Sequence, residues 1–264
     1  MAQGKRNGGD QFREQSLTVN GVKTAMLVGG AGEPLVFLHG GGVFSGFDFA
    51  IPWTERFKVY IPFHPGFGAS GDDPELAEMH DYVLHYLELF DQVGLERGLR
   101  LVGFSMGGWL AAELALEHRR RLAKLVLVAP AGLRDPEHPG TDLFRIPPEE
   151  VPGYLVHDFA VIARHLPKQP DPDFVAARYR EMTTVARIAW EHPFSRLLPR
   201  WLHRINLPTL LVWGEDDRLI PCAQSATWAR LIPGAVVRTF PNAGHLVLDE
   251  RPEAVRTVAE FAGA

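Results

Sequence analysis

Short apolar runs recurring between longer amphipathic stretches constrain this chain most strongly. "PLVFLHG", "KVYIPFHPG", "RLVGFS", "KLVLVAP", "TLLVWGEDD" and "AVVRTFPNAGH" each read as a strand with little polar alternation. Such strands suit a parallel sheet covered on both faces. The stretches between them have a helical period. Met79, Tyr82, Val83, Tyr86, Leu87, Phe90 and Val93 follow i, i+3, i+4, i+7 spacing and form one apolar stripe, which reads as core. Pro252 suits the first turn of a last helix running through Val255, Val258 and Phe261. The alternation predicts an α/β protein with a mostly parallel, right-handed, doubly wound sheet. Ahead of it, "QSLTVNGVKTAMLV" carries two strand-like runs around Asn20-Gly21, a pair that accepts the positive φ angles of a tight turn. The sheet should therefore open with an antiparallel hairpin.

Residues 134–203 break this rhythm with many prolines, no convincing strand, and helical fragments containing Tyr154, Phe159, Trp190 and Trp201. The segment is too long for a loop inside a compact domain, so it reads as an inserted helical cap. The expected organisation is a core of 1–133 and 204–264 with a cap at 134–203.

The 264 residues can bury a substantial core without disulfides or metals. A formal net charge of −5 supplies no field that would gather nucleic acid or anionic lipid. The basic run Arg119 to Arg121 follows a helical pattern and reads as a solvated helix end. Cys222 is the single cysteine, so an internal disulfide is impossible. The start "MAQGKRNGGDQFREQ" has no apolar signal region, and no run approaches the roughly 18 to 20 apolar residues of a membrane span. The expectation is a soluble cytoplasmic protein, monomer or homodimer, that binds a small molecule and neither nucleic acid nor membrane. Without H-E-x-x-H or paired Cys and His spacing, neither a metal site nor a cofactor is expected.

"RLVGFSMGGWLAAELALEH" sets Ser105 between glycines where a strand pattern meets a helix pattern. Glycine weakens both elements, so Gly103, Gly107 and Gly108 need a reason. A sharp strand-to-helix turn provides one: the glycines relieve crowding while Ser105 stands clear of the sheet at the helix N-terminus. A hydroxyl is a weak nucleophile near pH 7, so it needs a base within reach and a carboxylate to fix that base's tautomer. Most of the 11 histidines lie in helical or proline-rich segments, but "NAGHLVLDE" puts His245 in a loop after the last strand. "VWGEDDRLIP" puts Asp216 and Asp217 just beyond the strand before it, and strand C-terminal ends are where open α/β sheets gather functional groups. Asp217 is chosen as the acid over Asp216, over Asp135 at the start of the cap, and over Asp249, which is read as serving the dipole of the next helix. In "LHGGGVF" successive glycines let backbone donors approach a substrate oxygen. Gly41 N–H, with Gly42 in reserve, and Met106 N–H are the candidate oxyanion donors.

With "FLHGGG", "HPGFGAS", "LVGFSMGG", "LVWGEDDRLIP" and "PNAGHLVLDERPEAV" in this order, the chain resembles the α/β-hydrolase fold superfamily, in its serine-nucleophile branch. The resemblance covers nearly all of the chain except its first dozen residues and the details of the cap. Serine carboxylesterases and the hydrolases that cleave C–C bonds in ring-fission products look nearest. The C–C hydrolases typically carry asparagine before the serine and tryptophan after the histidine, where this chain has Phe104 and Leu246. Phe63 stands where many relatives have aspartate, which leaves His64 as either a pocket residue or a satisfied loop histidine. Val43, Phe44, His64, Phe104, Trp190 and Leu246 are the candidate substrate contacts. The resemblance implies a serine hydrolase that cleaves a small carboxylic ester through an acyl-enzyme on Ser105, Asp217 and His245. Its rivals are a C–C bond hydrolase and a hydrolase-fold binding protein without turnover.

Overall fold

A computed structural model describes residues 11–264 of the chain; the first ten residues, which include most of the stretch read for a signal region, lie outside the described part. Eight strands form one sheet: β1 (Phe12–Val19), β2 (Val22–Gly29), β3 (Glu33–Leu38), β4 (Phe57–Pro62), β5 (Leu99–Phe104), β6 (Leu122–Val128), β7 (Thr209–Gly214) and β8 (Val236–Phe240). Their spatial order is β1-β2-β4-β3-β5-β6-β7-β8. β1 pairs antiparallel with β2, and β2 antiparallel with β4; every other pairing is parallel. The opening hairpin turns at Asn20 (φ 45°) and Gly21 (φ 83°), and positive φ at both central residues matches the twist of the flanking strands.

The helices are α1 (Met79–Gln92), α2 (Met106–His118), α3 (Val151–Leu155), α4 (Phe159–Ala163), α5 (Pro172–Ala189), α6 (Leu198–Trp201), α7 (Gln224–Leu231), α8 (Val247–Glu250) and α9 (Pro252–Gly263). α1 follows its sequence period, burying Met79, Tyr82, Val83, Tyr86 and Phe90. Its first turn is closed by Asp81, whose carboxylate accepts the Glu78 N–H at 2.8 Å. α2 is buried along most of its length. Its small residues let it lie against β5 and β6: a Cβ on Gly108 would sit 2.8 Å from Pro130, and one on Gly107 would collide with the carbonyl oxygens of Leu38 and His39. Pro172 and the Asp171 carboxylate, which accepts from Asp173 and Phe174 N–H, start α5.

The inner strands β3, β5, β6 and β7 are buried on both faces, as continuous apolar runs require. β8 differs, since its Arg238 and Thr239 are exposed on an edge strand. Trp53, Trp213, Trp228, Tyr82, Tyr86 and Phe37 are among the largest fully buried side chains. Residues 134–203 carry α3 to α6 between β6 and β7. Among the described residues an isolated bridge joins Phe194 to Gly132. No helix among the described residues is long and apolar enough to cross a membrane.

Candidate active site

Four loops leave the C-terminal ends of β3, β5, β7 and β8, and each carries sequence-predicted groups. After β5 the chain reverses at Ser105, where φ is 53° and ψ is −117°, a backbone region that costs a non-glycine residue on the order of 1–3 kcal/mol. The positive φ falls on the serine itself, whereas Gly103 and Gly107 answer to space. A Cβ on Gly103 would strike the Gly107 carbonyl oxygen, so strand and helix cross too closely for any side chain there. The turn is tied down by Ser105 N–H to Val128 O at 2.9 Å and by Ala131 N–H to Ser105 O at 2.9 Å.

His245 follows β8, and its Nδ1 lies 2.7 Å from Asp217 Oδ2. The other oxygen of Asp217 accepts N–H groups of Leu219 at 2.9 Å and Ile220 at 2.8 Å. The carboxylate is thus oriented by its own loop, and the pair is buried, with the His245 side chain 3% exposed. Phe104 packs on the imidazole with ring centroids 4.8 Å apart. Since the carboxylate can only accept, Nδ1 carries the proton and Nε2 is left as an acceptor. Among the described residues no hydrogen bond joins Ser105 to the imidazole, but both line one cavity of about 670 Å³ together with Gly41, Met106 and Trp190. The N-terminus of α2 supplies Met106, so its free N–H lies at the positive end of a helix dipole.

The competing carboxylates have other work. Asp216 pairs with His157 at 2.8 Å. Asp135 accepts the Thr227 hydroxyl at 2.7 Å and the N–H groups of Glu137 and His138. Asp249 stands in the first turn of α8, the helix that follows His245. It lines a pocket of about 20 Å³ with Phe37, Phe104, Leu246 and Leu248, and burial pushes its carboxyl up to about 7. The neighbour Glu250 takes a structural part, accepting N–H groups of His157 and Asp158 at 2.8 Å and of Gly244 at 2.6 Å. It thereby ties the His245 loop to the segment between α3 and α4.

The cavity leaves out several expected substrate contacts. His64 is fully buried: its Nε2 bonds the His39 carbonyl at 2.8 Å, its Nδ1 meets the Tyr86 hydroxyl at 2.5 Å, and its N–H donates to His39 Nε2 at 2.9 Å. The His64 N–H leaves His39 Nε2 unprotonated, the His39 carbonyl puts a proton on His64 Nε2, and burial holds the His64 imidazole down at about 4. The satisfied-histidine alternative is the one the structure favours. Gly42, Phe104 and Leu246 line the small pocket beside Asp249 and not the large cavity. Val43 is buried, and Phe44 packs edge-on against Phe174 at 6.2 Å; neither lines the cavity.

Residues that the sequence reading did not single out complete the cavity wall: Trp109, Leu133, Phe144, Val185, Phe194 and Ile220. Trp109 had a usable signal, because it lies one helical turn beyond Ser105. Its indole N–H donates to Glu113 at 2.6 Å, which fixes the ring. No group of three or more His, Cys, Asp or Glu that could hold a metal ion occurs among the described residues.

A family model described as "Alpha/beta hydrolase family" matches residues 35–258. The chain is 26% identical over 267 residues to the 2-hydroxy-6-oxo-6-(2'-aminophenyl)hexa-2,4-dienoic acid hydrolase of Metapseudomonas resinovorans, covering 92% of this chain and 88% of that one. Among solved structures it is similar to the 2-hydroxy-6-oxo-6-phenylhexa-2,4-dienoate hydrolase of Rhodococcus sp. strain RHA1, with a TM-score of 0.79 and 23% identity over 96% of this chain and 99% of that one. It is also similar to a membrane phospholipase A described as a novel bacterial virulence factor, with a TM-score of 0.77 and 26% identity over 95% of this chain and 86% of that one.

Proposed function

Because the chain belongs to the alpha/beta hydrolase family, we propose that it cleaves a small carboxylic ester through an acyl-enzyme formed on Ser105. One observation carries the reading: Ser105, on a positive-φ turn, shares a cavity with His245, whose Nδ1 is held 2.7 Å from Asp217. Ser105 Oγ attacks the ester carbonyl while His245 Nε2 takes its proton, and the same nitrogen returns that proton to the leaving alcohol. Asp217 keeps the imidazole in the required tautomer and stabilises the imidazolium. The N–H groups of Gly41 and Met106 receive the oxyanion, and water, activated by His245, then releases the acid.

The cavity presents a largely apolar wall of Leu143, Phe144, Val185, Trp190 and Phe194, all from 134–203. That supports residues 134–203 acting as a lid over the core and favours substrates with an apolar or aryl body. A second reading, hydrolysis of a C–C bond in a ring-fission product with the same three side chains, draws support from the names of the relatives. Phe104 and Leu246 favour the ester over it. The test is a panel of p-nitrophenyl esters and one aryl ring-fission product, run with wild type and Ser105→Ala. Ester turnover about a million-fold faster in wild type than in Ser105→Ala is expected. Turnover of the ring-fission product alone would select the second reading, and ester turnover retained by Ser105→Ala would overturn both.

A further inference from the structure

Gly41 sits in the run Gly40-Gly41-Gly42, the least restrained kind of backbone. A donor that must stay within a few tenths of an ångström of a developing charge needs its loop held from outside. Just past the glycines, the Val43 N–H donates to Glu181 Oε2 at 3.3 Å. Glu181 belongs to α5, 138 positions away in sequence, and is 2% exposed. Its carboxylate is gripped by Arg178 through both oxygens, at 2.7 and 2.8 Å, and the Arg178 guanidinium lies over the rings of Phe44 (5.0 Å) and Phe174 (5.5 Å). One turn further along α5, the Val185 side chain would lie 3.1 Å from a Cβ placed on Gly41, so it backs the same glycine.

Burying a carboxylate and a guanidinium costs more than burying apolar side chains of the same volume would. Burial raises the Glu181 carboxyl despite Arg178 beside it. Two further bonds seat α5 elsewhere, Arg180 on Gly68 O at 2.7 Å and Arg187 on Asp72 at 2.6 Å, so anchoring the helix does not require Glu181. The Glu181 carboxylate also faces the Gly68 N–H, but its bond to the Val43 N–H is the one that reaches the loop carrying Gly41.

We propose that Glu181 is a positioning residue for the oxyanion site: through the Val43 N–H it holds the 40–43 loop in register, so that the site is assembled only while α5 is seated on the core. The proposal rests on the reading of Ser105 as nucleophile and Gly41 as donor. It couples the segment over the cavity to transition-state binding rather than to substrate entry alone.

The test uses the full chain and an ester that wild type hydrolyses, with active sites counted by organophosphonate titration so that loss of folded protein does not imitate loss of rate. Glu181→Gln should lower kcat by about 10–100-fold with KM little changed. Its affinity for an aryl trifluoromethyl ketone, whose tetrahedral adduct needs the oxyanion donors, should fall by the same factor. Arg178→Lys, which loosens the grip without removing the carboxylate, should give a smaller loss of the same pattern, and it decides the matter if Glu181→Gln does not fold. Wild-type kcat and ketone affinity in the variant that folds would overturn the proposal, as would a rise in KM with ketone affinity unchanged. Ser105→Ala is run alongside. If it is inactive while Glu181→Gln behaves as wild type, the loop proposal alone falls; if it remains active, the nucleophile reading falls.

Discussion

His245 Nδ1 meets Asp217 Oδ2 at 2.7 Å across 28 positions of sequence, and the two side chains are almost wholly removed from solvent. In that setting the carboxylate selects the tautomer of the ring. Asp217→Asn presents an amide that can donate to Nδ1 and so favours the wrong tautomer, and kcat should fall about 10⁴-fold with little change in KM. Asp216→Asn, which releases only His157, and Asp249→Asn should each stay within a few-fold of wild type. Steady-state kinetics on the four proteins decides the assignment, and comparable losses at 216 and 217 would refute it.

Close packing at the turn gives a second expectation. A Cβ at Gly107 would run into backbone oxygens of Leu38 and His39, atoms that cannot swing aside. Gly107→Ala should cost about 3 kcal/mol or more of unfolding free energy. Gly94, at φ 72° with open space around it, carries only the conformational penalty, so Gly94→Ala should cost about 1 kcal/mol. Urea unfolding of both variants measures the difference, and equal costs would mean that the turn can relax.

A third concerns acid. Burial lowers His64 and His85 from 6.5 to about 4, and lowers His39 as well, with its neighbour His64 adding to the effect. In the unfolded chain these rings take up protons near 6.5; in the folded chain those of His64 and His85 stay neutral down to about 4. Their stabilisation is therefore complete above 6.5 and drains away as the pH falls towards 4, by roughly 3 kcal/mol for His64 alone. Imidazole NMR signals should show His64 and His85 still neutral at pH 5 while unfolding free energy is already declining. A ring that titrates at 6 in the folded protein would contradict this.

Much of the architecture could be read from local pattern. The strands at 33–38, 57–62, 99–104, 122–128 and 209–214 are apolar runs that have no other home, and Asn20-Gly21 names its own turn. Ser105, Gly41, Met106 and His245 reach one cavity because strand ends share an edge of a parallel sheet. What escaped the reading depends on docking across long separations. Of the two readings open for His64, the satisfied loop histidine is selected only once Tyr86 and the His39 carbonyl close over it. The part of Glu250 depends on docking against His157 and Asp158, which no period in so short a helix reveals. The cavity wall between 131 and 144 takes its shape from prolines and turns, where side-chain direction follows no repeat.

Consider finally the backbone at Ser105. Only glycine is at ease at φ 53° and ψ −117°, so Ser105→Gly would relax the turn. A laboratory selection that rewards heat tolerance alone should drift towards glycine at 105, and one that also demands turnover should never accept it. Passing libraries through both regimes would show, from the sequences that survive, which positions this molecule keeps at the expense of its own endurance.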